Sequence, residues 1–134
     1  MFEERFQPIA PFVSKYGWHN FRDMEAQIVA EAIRPGRIVA TGGGAIEHPE
    51  TQAALARAVV VWLDADVTSL RARIAADPRE RPSVTGAPVA QEIDALLARR
   101  RPLFERFATV RIDASASTEQ QVTVALRLLR DSGR

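Results

Sequence analysis

Ala58-Val59-Val60-Val61-Trp62-Leu63 is an unbroken apolar run, three valines followed by an indole and a leucine, and Asp64 closes it. A strand covered on one face alternates apolar and polar residues, whereas an unbroken β-branched run is the pattern of a strand buried on both faces, as in a parallel sheet. Working outward, the sequence predicts a helix over 67–76 and then a surface loop over 77–88, which holds three prolines and no helical period and has the composition of a lid. Helix resumes over 90–107 with a kink expected at Pro102, and a strand is predicted over 109–112. Ser117 and Gln120 have the spacing of a capping box, which starts a last helix with the apolar stripe Val122, Ala125, Leu126 and Leu129.

In the other direction, residues 37–41 read as a strand that opens into Gly42-Gly43-Gly44, and Pro49 suits the first position of a helix continuing over 50–57. Residues 21–33 read as a helix capped by Asn20, with Phe21, Met24, Ile28 and Ala32 towards the core and Pro35-Gly36 ending it. Residues 2–15 predict a short or kinked helix, interrupted by Pro8 and Pro11 and followed by a turn at Gly17. Strands alternating with helices in this way define the α/β class with a parallel sheet.

The 134 residues, 46% hydrophobic and 26% charged, suit one globular domain. No apolar run approaches the roughly 20 residues that cross a bilayer, and the first residues have neither a basic nor an apolar leader segment, so a cytoplasmic protein is expected. Without cysteine there is no disulfide and no thiolate metal site, and His19 and His48 lie too far apart in sequence to suggest a ligand pair, so no metal site is expected. A net charge of +1 asks for neither nucleic acid nor an anionic membrane. Seventeen of the eighteen basic residues are arginine, whose planar fork suits carboxylates and phosphates, so position must decide which of them matter.

Three places could carry chemistry. Arg37-Ile38-Val39-Ala40-Thr41-Gly42-Gly43-Gly44-Ala45 is a strand running into three residues without a Cβ, where a ligand can lie against bare backbone N–H groups; three glycines also make an ordinary flexible loop. Arg22 and Glu25 share one face of a helix, as a surface ion pair also would. Arg99-Arg100-Arg101 precedes Pro102; such a cluster is usually a solvated face, but around a kink one of the three can turn inward to an anion.

Taken in order, Phe21-Arg22-x-x-Glu25, Ala40-Thr41-Gly42-Gly43-Gly44, Arg81-Pro82 and Arg100-x-Pro102-Leu103-Phe104 resemble the shikimate kinases over essentially the whole chain. The resemblance implies a P-loop kinase-like fold of the nucleoside-monophosphate-kinase type, and transfer of the γ-phosphate of MgATP to the 3-hydroxyl of shikimate in aromatic amino-acid (chorismate) synthesis. It implies that Arg22 and Arg100 grip the shikimate carboxylate, that Gly43 and Gly44 receive its ring hydroxyls, and that Glu25 orients Arg22. It further gives Arg81 the charge-stabilising place over the transferring phosphate, with lid residues at about 77–88, and packs Arg73 on adenine. Shikimate and nucleotide are the implied partners, ATP and Mg2+ the implied cofactors, and a monomer the implied state.

One family element has no counterpart among the 134 residues: G-x-x-x-x-G-K-[ST], which holds the phosphates and magnesium. The register implies a partial shikimate kinase domain over 1–134, lacking the first two strands and about 30 to 40 residues by element length. A late start site, a shortened polypeptide and a true partial copy remain alternatives, and the chain alone is expected to be inactive. Its rivals are a non-catalytic shikimate-binding or regulatory module and another small-molecule kinase of the same architecture. The absent phosphate-loop strand would be central, so the strands at 37–41 and 59–63 are expected to face each other unpaired or to rearrange and pair directly.

Overall fold

A computed structural model describes residues 2–77 and 82–131, without the side chains of Val89 and Ala90. Helices α1 (Phe2–Arg5) and α2 (Ile9–Ala32) lead into a single 3-10 turn (Ala45–Glu47) and α3 (Pro49–Leu55), after which come β1 (Val61–Asp64), α4 (Val67–Ala76), α5 (Val89–Phe107), β2 (Val110–Asp113) and α6 (Thr118–Asp131). The α/β class is as the sequence implies, but the described sheet has only two strands, parallel, with Val61 opposite Val110 and Asp64 opposite Asp113.

The local chemistry of each element is plain in its ends. Pro8 precedes α2, and Gly17, at φ 82° and ψ 163°, breaks it into two helical stretches. A side chain is strained at that φ, so glycine suits the break. Asn20 is not the cap of the second stretch: its amide turns back and donates to the Tyr16 carbonyl at 2.6 Å. The His48 ring accepts from the Glu50 N–H at the start of α3, and Asp66 accepts from Ser69 N–H at the start of α4. Before α6 the capping box forms as the sequence predicts, with Ser117 N–H on Gln120 Oε1 at 3.0 Å and Gln120 N–H on Ser117 Oγ at 3.3 Å. Helix α5 continues through Pro102 to Phe107.

The first core is aromatic. Phe2, Phe12, Val13, Phe21 and Ile28 are buried together, with Ile9, Trp18 and Met24 packed around them. Phe2 meets Phe12 and Phe21 edge-on at centroid separations of 5.0 and 4.8 Å, contacts worth about 0.5–1.5 kcal/mol each beyond area burial. A second core lies against the sheet, where Trp62 stacks on Phe104 at 5.6 Å and Val110 and Ile112 are buried.

Three expectations need correction. Residues 37–42 form no strand, and Ile38 is fully exposed, because a β-branched sequence becomes a strand only where a neighbour takes its backbone hydrogen bonds. The run at 58–63 is not covered on both faces: only 61–64 is strand, Trp62 is buried, and Leu63 is 57% exposed. The stripe of α6 is only half covered, with Val122 and Leu126 exposed and Ala125 and Leu129 partly buried. Of the two outcomes expected for the stretches at 37–41 and 59–63, direct pairing is not seen, because the described sheet holds β1 and β2 alone. A trench of about 530 Å³ separates the two stretches, lined in part by Ile33, Val39, Leu55, Val59 and Val61.

Candidate carboxylate-binding site

The second stretch of α2 carries Arg22 and Glu25 one turn apart, and the Glu25 carboxylate accepts from Arg22 Nη1 at 2.5 Å. Both side chains are largely buried, so this pair is better shielded than a surface pair and fixes the guanidinium. The Arg22 guanidinium also lies over the rings of Trp18 and Phe21, each 5.1 Å from its carbon. From α5, Arg100 donates to Glu47 in the 3-10 turn at 3.0 Å, and Arg99 donates to the same carboxylate. Arg101 faces elsewhere, towards Asp64 at the end of β1 and the ring of Trp62. One arginine of the triplet is thus turned inward.

Arg22 and Arg100 meet over the glycines. A Cβ on Gly44 would fall 2.5 Å from Arg22 Cζ and 2.8 Å from Arg100 Nη2, while one on Gly42 would fall 2.7 Å from Glu25 Oε1. Gly43 leaves ordinary contact distance, 3.7 Å, to Arg100 Nη1. Gly44 has a helical φ of −89°, so the space, not the backbone angle, demands glycine here. Burial, opposed by Glu47 and aided by the charges of Arg22 and Arg99, pulls Arg100 below the ordinary arginine value. Burial alone would raise the Glu47 carboxyl, but the hydrogen bonds from Arg99 and Arg100 outweigh it and hold it below the ordinary glutamate value. Two cations held together, each braced by one carboxylate, make a cradle for a further anion, and the planar fork favours a carboxylate or phosphate.

The remaining sequence candidates are dispersed. Arg73 on α4 donates to the Ala114 carbonyl beyond β2, tying helix to strand end. Arg81 lies outside the described residues, as does part of the stretch at 77–88. The rest of that stretch is a hydrogen-bonded turn: Glu92, 5% exposed, accepts from Thr85 N–H at 2.5 Å and Ser83 Oγ at 2.9 Å. Trp18 Nε1–H donates to the Ser83 carbonyl at 2.7 Å. Glu47, Trp18 and Glu92 were not singled out by the sequence. Glu47 follows the glycines within one turn and could have been suspected; partners as far apart as Trp18 and Ser83 leave no local signal.

Fold and site together define an α/β protein that brings two carboxylate-braced arginines together beside a glycine turn. A family model for shikimate kinase matches residues 1–130, and the chain belongs to that family. It is 35% identical over 126 residues to "Shikimate kinase 2" of Yersinia enterocolitica, covering 92% of this chain and 72% of that protein. It is 35% identical over 133 residues to the protein of the same name from Syntrophotalea carbinolica, covering 97% and 77%. With that of Sodalis glossinidius it shares 36% over 127 residues, 92% and 73% of the two chains. The family implies use of ATP and Mg2+. Among the described residues no three His, Asp or Glu side chains come together, and Glu25 and Glu47 each pair with arginine. Among the described residues no helix is long and apolar enough to cross a membrane.

Proposed function

We propose that this chain supplies the shikimate-binding part of a shikimate kinase, which transfers the γ-phosphoryl group of ATP to the 3-hydroxyl of shikimate. The observation that carries this reading is the meeting of Arg22 and Arg100 over Gly44. Arg22 and Arg100 grip the substrate carboxylate with charge-assisted hydrogen bonds, and Glu25 keeps Arg22 in the plane to do so. The Gly43 and Gly44 backbone lies against the ring hydroxyls, where side chains would intrude. Arg81, by the family resemblance, neutralises charge on the transferring phosphoryl group, and Arg73 packs on adenine once it leaves Ala114.

Titration calorimetry with shikimate, and with gluconate as control, tests the reading. Saturable binding of shikimate alone is expected, and Arg22→Ala and Arg100→Ala should each weaken it about 10- to 100-fold, the loss of a charged hydrogen bond. Equal binding of both ligands would sink it.

A non-catalytic shikimate-binding module is the second reading, favoured by the meeting of Arg22 and Arg100 over Gly44 within these 134 residues. The 134 residues alone are expected to bind shikimate and give no turnover with MgATP, because the G-x-x-x-x-G-K-[ST] sequence that cradles the phosphates is not among them. Turnover at about 1 to 100 per second would remove this second reading.

A further inference from the structure

Arg22 is held from one side by Glu25, and two aromatic rings lie close to its guanidinium as well. Its guanidinium carbon lies 5.1 Å from the Trp18 ring, and that indole is itself tethered at its nitrogen, donating to the Ser83 carbonyl at 2.7 Å. Ser83 begins a turn whose hydrogen bonds converge on one buried acid. Glu92 Oε1 accepts from the Thr85 N–H and the Ser83 hydroxyl, and the same hydroxyl accepts from Gly86 N–H at 2.7 Å. A carboxylate only 5% exposed, with its donors drawn from one short turn, fixes that turn as a rigid body.

We propose that Glu92 and Trp18 are positioning residues for Arg22. Glu92 fixes the turn at 83–87, the turn fixes the indole through Ser83, and the indole face sets where the Arg22 guanidinium stands above Gly44. None of the three need touch the ligand. Linkage makes the relation reciprocal: whatever anion draws Arg22 into register also tightens the indole and the turn. Arg22 carries a second ring contact, to Phe21, which belongs to the aromatic core and meets Trp18 edge-on at 5.4 Å. Of the two rings, Trp18 is the one hydrogen-bonded to the turn.

The proposal rests on the shikimate reading only for its binding arm, so its test has two arms on the full 134-residue chain at low temperature. In the first, without ligand, nuclear magnetic resonance follows the Trp18 Nε1–H and Arg22 Nε–H signals, assigned with Trp18→Phe and Arg22→Lys. Glu92→Gln should shift both signals and speed hydrogen exchange at Thr85 and Gly86, while Trp62 Nε1–H stays in place as an internal control for the fold. Glu92→Asp should restore part of the shift. If Glu92→Gln moves the indole signal and leaves Arg22 unmoved, the relay is wrong, even with the turn loosened. In the second arm, Glu92→Gln and Trp18→Phe should each raise the Kd for shikimate about five- to tenfold, roughly one hydrogen bond, at a temperature where the unmoved Trp62 signal shows both variants folded. Shikimate should also slow exchange at Thr85 and Gly86 in the unaltered chain and not in Trp18→Phe. Unchanged Kd in both variants overturns the proposal. If the unaltered chain binds no shikimate, the carboxylate reading of the cradle fails, and the first arm alone decides the relay.

Discussion

Gly44 separates binding from stability at the level of a single atom. A Cβ there would meet only the far ends of two flexible side chains, and its backbone is already helical, so Gly44→Ala should fold normally. The guanidinia must move aside, however. The expected result is a melting temperature within about 3 °C of the unaltered chain and a shikimate Kd at least about tenfold higher, the reverse of the pattern for a core lesion. Thr51 offers the opposite case, because it is fully buried and its hydroxyl has no hydrogen-bond partner among the described residues. Replacing it by valine of the same shape removes a desolvated group, and should raise the melting temperature by a few degrees, about 1 kcal/mol, with binding unaltered. That Arg22, Glu25, Arg100 and the glycines come together was legible because each sits in a short pattern whose chemistry is local. Glu92 was not, since its burial is decided by a turn that no periodicity announces.

Among the elements, the turn at 83–87 and the 3-10 turn at Ala45–Glu47 are both organised by a carboxylate of depressed pKa. Burial opposes ionisation of Glu92, but hydrogen bonds from the Thr85 backbone and hydroxyl, the Ser83 hydroxyl and the Val84 backbone outweigh it. A group depressed in the folded state contributes stability above its unfolded value, about pH 4.3 for glutamate, and loses it as pH falls through the lower folded value. Exchange at Thr85 and Gly86 should therefore quicken as pH drops below about 4, beyond the intrinsic pH trend of the exchange chemistry, and Glu92→Gln should abolish that extra step. Helix bounds were the most legible elements: α4 begins and ends where the sequence placed it, and α6 begins at its capping box. Strands were less so. Ile38-Val39 and Val59-Val60 carry the right side chains, but a strand is completed by its neighbour's backbone, which is not written in its own residues.

At the scale of the molecule, uncovered apolar surface should govern solution behaviour. Ile38, Val59, Val61, Leu63, Val122 and Leu126 are all exposed, and a trench of about 530 Å³ lies between the stretches around 34–41 and 58–61. The 134 residues alone should self-associate or melt below about 45 °C, the lower edge of the mesophile range, as read by gel filtration and a circular dichroism melt. A cooperative, monomeric transition above that temperature would contradict this. The parallel pairing has a consequence in time as well. Val60 and Thr109 lie 49 positions apart, and the chain between them must close before any rung of the β1–β2 ladder forms, at an entropic cost of about 3 kcal/mol. The aromatic cluster of α1 and α2 needs only short loops and can assemble first. Stopped-flow refolding should then show Phe21→Leu slowing the folding limb, while Ile112→Val chiefly speeds unfolding: the order of assembly runs from the amino-terminal aromatic knot to the sheet.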